Sequence, residues 1–83
     1  PLALTWMPDG KRLKIVAAQK EIRSVTAAPG TVVAIEGGTL DIACADGILH
    51  VTHLQPEGKG RMAAADFLRG RKLSVGDLLR TPQ

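Results

Sequence analysis

Hydrophobic and polar positions alternate along "KRLKIVAAQ", residues 11–19, with Leu13, Ile15 and Ala17 on one side and Arg12 and Lys14 on the other. A period of two predicts a half-buried strand with its cations turned to solvent. "TVVAIE", 31–36, is rich in β-branched residues and reads as a second strand. "TLDIACA", 39–45, alternates again, Leu40, Ile42 and Cys44 against Asp41 and Ala43. Asp46-Gly47 is a two-residue hairpin signal leading into "ILHVTHLQ", 48–55, so three strands in meander are expected across 31–55. In the last of them Leu49 and Val51 share a face, whereas Leu54 has the opposite parity. Either that strand is buried on both faces or a bulge shifts its phase near His53.

The period becomes helical in "AAADFLR", 63–69, where Ala63 and Phe67, and Ala64 and Leu68, stand four apart on one apolar stripe. Gly70 is placed as a C′ residue. No Ser, Thr, Asp or Asn stands at the N-cap, an absence that costs about 1 kcal/mol. Asp9-Gly10, "APG" at 28–30 and Gly37-Gly38 are turn signals; in the second, Pro29 fixes φ and Gly30 can take the positive φ of a type II turn. "PLALTWMP", 1–8, has no clear period and reads as a linker or edge segment, and "LSVGDLL", 73–79, as a closing strand or turn. Strands dominate and connections are short. The expected fold is mainly β: a small OB-like, partly open β-barrel with one short α-helix.

Composition narrows the class. At 83 residues the chain is one domain, burying only about 60–65% of its unfolded surface, too little for a catalytic domain with its own deep cleft. Hydrophobic residues at 45% and charged residues at 23% describe a globular chain rather than a disordered one. The single cysteine, Cys44, cannot close an intrachain disulfide and suits a reducing cytoplasm. No apolar run reaches the ~18 residues that a membrane span needs, and no signal peptide is visible. The start at Pro1, without an initiator methionine, is expected of a fragment cut from a longer protein, with tag removal or N-terminal trimming as the alternative. On that expectation residues 1–8 are an edge or linker following a missing N-terminal domain, and 9–83 are the barrel.

The net charge of +3 is modest but unevenly spread. Residues 1–20 carry Lys11, Arg12, Lys14 and Lys20 against Asp9. Residues 21–56 carry Arg23 against Glu21, Glu36, Asp41 and Asp46. Residues 57–83 carry Lys59, Arg61, Arg69, Arg71, Lys72 and Arg80 against Glu57, Asp66 and Asp77. The ends are basic and the middle is acidic. A fold that brings the ends together makes a basic face suited to a polyanion.

Catalytic or metal chemistry finds little support. His50 and His53, three apart on a strand, are expected on opposite faces and so cannot share a metal. Cys44 sits at an apolar-face position and reads as a small core residue. "EGKG" is too short for a phosphate-binding loop, which needs four residues between its glycines and Ser or Thr after the Lys. The aromatics are only Trp6, in the suspected linker, and Phe67, on the helix's apolar stripe. A base-stacking platform is thus poorly supplied, and nucleic-acid binding is expected to rest on cations meeting phosphates, which positions without reading sequence.

The run "LQPEGKGRMAAADFLRG", preceded by "PGTVV" and "DGILHVTHLQ" and followed by Gly76-Asp77, resembles the C-terminal domain of the methionyl-tRNA formyltransferase family, with "DGKRLKI" similar to its first strand. The similarity covers about residues 9–79. It implies an OB-like barrel that follows a doubly wound N-terminal catalytic domain. That domain would carry the Asn-His-Asp set and 10-formyltetrahydrofolate, so this fragment is expected to hold no catalytic residue, cofactor or metal. It implies a cytoplasmic protein whose barrel gives general affinity for tRNA, initiator methionyl-tRNA in particular, with the barrel's own N-terminal domain as its other partner. Carried over, the nucleic-acid-binding residues are Lys59 and Arg61, then Arg69, Arg71 and Lys72, and Lys11, Arg12 and Lys14. Two departures stand out: Ala63 where the family often has a capping Ser (Asp66 remains at N3), and GKGR where GKRR or GKRK is usual. The alternative is a structural or interaction barrel of another formyltransferase, such as a nucleotide-sugar N-formyltransferase, with no nucleic-acid role.

Overall fold

A computed structural model describes residues 3–70 and 73–80. The elements follow as β1 (Ala3–Trp6), β2 (Arg12–Ile22), β3 (Val32–Ala34), β4 (Leu40–Cys44), β5 (Gly47–Pro56), β6 (Met62–Ala63) and α1 (Ala64–Arg69). The strands make one antiparallel sheet in the order β1-β2-β5-β4-β3, with β6 added to β5, and the sheet curls into a half-barrel. Alternation along β2 and β4 puts Leu13, Ile15, Leu40 and Ile42 inside, where they meet Val51, Leu54 and the helix residues Ala64 and Phe67. The mainly β barrel with one short helix expected from the pattern is the fold that forms.

The curl comes from paired irregularities where β2 crosses β5. Ile15 faces Leu54 and Ala17 faces His53, leaving Val16 extra on β2; the next step, from Ala17 to Ala18, spans His53 to Val51 and leaves Thr52 extra on β5. Bulges bend a strand and sharpen its twist. The Thr52 hydroxyl donates to the Ala17 carbonyl at 3.2 Å. The extra residue also explains the parity of β5: Val51 and Leu54 are both fully buried. His50 and His53, each next to one of them, therefore lie on the same outer face rather than on opposite faces. Ile48 and Ala43, cross-strand partners, are buried as well yet stand apart from the main cluster, so β5 is covered on both sides near its start.

Several local expectations change. Residues 1–8, without a readable period, contain β1, which pairs with β2 from Ala3↔Ile15 to Trp6↔Arg12 and forms the sheet's edge. The β4–β5 turn is Ala45–Asp46, closed by Cys44↔Gly47, so Gly47 is a strand residue. A Cβ there would collide with the Glu21 carbonyl of β2. The Pro29-Gly30 turn forms as expected, Gly30 at φ 94° and the Thr31 amide donating to the Ala28 carbonyl at 3.1 Å. The helix starts from Ala63, extended at φ −66° and ψ 144° with no side-chain cap. It ends on Gly70 at φ −74° and ψ −3°, right-handed and not the left-handed C′ the sequence predicts.

Residues 73–80 tie the two sheet edges together. The Val32 amide donates to Asp77 and the Gly76 amide to Val32, both at 2.8 Å, and Leu79 donates to Gly30 at 2.8 Å. Trp6 and Arg80 exchange both backbone bonds, at 2.7 and 3.0 Å. Leu73 and Leu79 fill the core beneath this strap.

Candidate nucleic-acid interface

Antiparallel pairing of β2 with β5 decides where the basic segments meet. Leu13 faces Pro56 and Lys14 faces Gln55, so the start of β2 and the turn after β5 share one end of the sheet. The Glu57 amide donates to the Arg12 carbonyl at 2.9 Å, and the Arg12 amide returns to Glu57 Oε1 at 3.2 Å. Gln55 Nε2 donates to the Lys59 carbonyl at 3.0 Å, clamping the turn beside Lys14. The turn itself is closed by the Lys59 amide on the Pro56 carbonyl at 3.1 Å, with Gly58 at φ 75°. Lys11 follows the β1–β2 hairpin, its amide held by Asp9 Oδ1 at 2.9 Å.

Lys11, Arg12, Lys14, Lys59 and Arg61 are all exposed and share this end. The helix joins them: Lys59, Met62, Asp66, Phe67 and Gly70 line one shallow pocket of about 180 Å³ with Pro56. Two of the arginines are partly occupied. Arg12 Nε lies 3.6 Å from Glu57 and Arg69 pairs with Asp66 at 2.9 Å. Lys11, Lys14, Lys59 and Arg61 make no ion pair among the described residues. Arg71 and Lys72 lie outside the described residues.

The other end of the same ribbon, roughly 25 Å away at strand rise, is acidic and internally paired. Lys20 meets Asp46 at 2.6 Å; this contact raises the Lys20 pKa and lowers that of Asp46. His50 bridges three strands, its Nε2 2.9 Å from Glu21 and its Nδ1 2.8 Å from Asp41. Glu21 first and then Asp41 raise the His50 pKa, since both favour the imidazolium. Thr39 donates to the same Asp41 oxygen at 2.8 Å, and Arg23 lies 3.7 Å from Glu21. Sequence reasoning missed this clasp because its members come from β2, β4 and β5. No group of His, Cys, Asp and Glu among the described residues is arranged to hold a metal. Nor is any described helix long and apolar enough to cross a membrane.

The arrangement defines a small β-barrel module with a cationic end and a neutralised acidic end. The formyl transferase C-terminal domain model matches residues 1–72, and the chain belongs to that family. It is 49% identical over 76 residues to the methionyl-tRNA formyltransferase of Myxococcus xanthus, covering 92% of this chain and 23% of that protein. It is 44% identical over 80 residues to the enzyme of the same name from Bacillus subtilis, covering 95% and 25%. A third, from Halalkalibacterium halodurans, is 48% identical over 83 residues, covering 95% and 26%. The chain thus spans about a quarter of the length of these relatives.

Proposed function

We propose that this domain is the auxiliary tRNA-binding part of a methionyl-tRNA formyltransferase. It holds initiator methionyl-tRNA by phosphate contacts while a separate N-terminal domain, using 10-formyltetrahydrofolate, transfers the formyl group. The observation that carries the reading is the meeting of Lys11 and Lys14 with Lys59 and Arg61 at one end of the β2–β5 ribbon, although more than forty positions separate them in sequence. The names of the three relatives agree with it. Lysine and arginine heads on such a rim meet phosphate oxygens without regard to sequence. The expected affinity is weak, on the order of 10⁻⁴–10⁻⁶ M near physiological salt.

A salt titration of tRNA binding tests this. The 83-residue chain is compared with a variant carrying Lys11, Lys14, Lys59 and Arg61 all changed to Gln. Each lost phosphate contact should take about 0.7–0.9 from the slope of log K against log salt. Equal affinity with an unchanged slope sinks the proposal.

A further inference from the structure

Trp6 occupies the middle of a cross-strand row. It faces Arg12 on β2 and Arg80 on the closing strap, and antiparallel partners directly opposite project to the same side of a sheet. The Arg12 guanidinium carbon lies 5.5 Å from the indole centroid, within cation–π range. Trp6 is half-buried, whereas Arg12 and Arg80 are exposed. The neighbouring row along the sheet carries Lys14 opposite Leu4, and Lys11 immediately precedes Arg12. The one tryptophan of the chain is therefore set among cations at the basic end, in the stretch the sequence reads as a linker.

We propose that Trp6 is a stacking seat for an unpaired nucleobase of the bound RNA, with Arg12 and Arg80 meeting the phosphates on either side of it. This rests on the tRNA-binding reading above and adds to it a base contact that the cations alone cannot supply. An indole offers every base a π-face, so the contact tolerates any sequence but requires a base free of its partner. Arg12, stacked on the ring, keeps its terminal nitrogens for phosphate while Nε leans toward Glu57 at 3.6 Å. Duplex phosphates can reach the lysines of the rim, yet a paired base cannot enter the row.

The chain contains one Trp and no Tyr, so its intrinsic emission reports Trp6 alone. Titration with a single-stranded oligoribonucleotide at fixed salt should quench that emission. Inorganic polyphosphate, a polyanion without bases, should compete for the rim and leave the emission unquenched. Trp6→Leu should weaken oligoribonucleotide binding about 5- to 160-fold, the range that loss of one stacked base produces, and leave polyphosphate binding unchanged. Trp6→Phe should keep most of the affinity, and its circular dichroism shows whether β1 has survived. If oligoribonucleotide and polyphosphate bind with neither quenching, or Trp6→Leu binds both as the parent does, the stacking seat is wrong while the phosphate-binding rim stands. If neither polyanion binds the parent chain, both proposals fall.

Discussion

Gly47 and Gly58 are both glycines beside a turn, but opposite constraints require them. Gly58 has open space where a Cβ would go and is needed for its φ of 75°. Gly47 has an ordinary φ and is needed because the Glu21 carbonyl of β2 occupies the place of a Cβ. Gly58→Ala should therefore cost about 1–2 kcal/mol, the penalty of left-handed backbone. Gly47→Ala must prise β2 from β5 and should cost at least the 1–3 kcal/mol of an overpacked site. Urea denaturation of the two variants checks the order. The sequence makes the first role legible, since Pro-Glu-Gly-Lys is a turn on its face. It hides the second, because the residue that forbids a side chain is twenty-six positions away. His50 is hidden in the same manner: nothing local tells that Glu21 and Asp41 will flank it. Its raised pKa gives a signed prediction. The stabilisation from the clasp is fully present below the unfolded histidine value, about 6.5. It is lost as pH rises through the higher folded value. Denaturation midpoints should thus fall as pH rises from about 6.5 through the higher folded value, and His50→Gln should flatten that part of the curve.

Elements with a strong local period, β2, β4 and α1, form where the pattern places them, and β1 and β6 show what a pattern cannot carry. β6 is two residues long and β1 four, too few for a period to register. Each exists because a longer neighbour offers it an edge, β2 for Ala3–Trp6 and β5 for Met62–Ala63. The same pairing fixes the start of α1. Ala63 pairs with His53 and is held extended, the conformation an N-cap needs, without an oxygen to accept from the first turn. Ala63→Ser should supply that oxygen and complete a box with Asp66 at N3. The expected gain is about 1 kcal/mol, read as a rise of roughly 4–8 °C in Tm for a domain of this size. No rise would mean that the β6 pairing leaves the serine unable to reach the Asp66 amide.

Closure of the half-barrel belongs to the whole molecule and depends on residues 73–80, which lie beyond the 1–72 matched by the family model. The sequence shows the basic ends of the chain. Their common location follows only from the β2–β5 register, a pairing of distant segments with no local signature. The strap is equally non-local: it hydrogen-bonds β3 through Val32, the turn before β3 through Gly30 and β1 through Trp6, and it buries Leu73 and Leu79 at 2% and 3% exposure. Removing those two leucines alone forfeits roughly 1.5–3 kcal/mol each. The Thr5 hydroxyl, which donates to the Arg80 carbonyl at 2.8 Å, would lose its partner as well. A domain of this size holds only about 5–15 kcal/mol in total. A chain stopped after Gly70 should therefore lose its cooperative thermal transition and its dispersed amide spectrum, although every strand of the sheet remains. A chain stopped after Arg80 should keep both. Cooperative melting of the shorter chain would show that the β2–β5 ribbon and its helix hold the core without closure, and the strap would then serve only to set Arg80 beside Trp6.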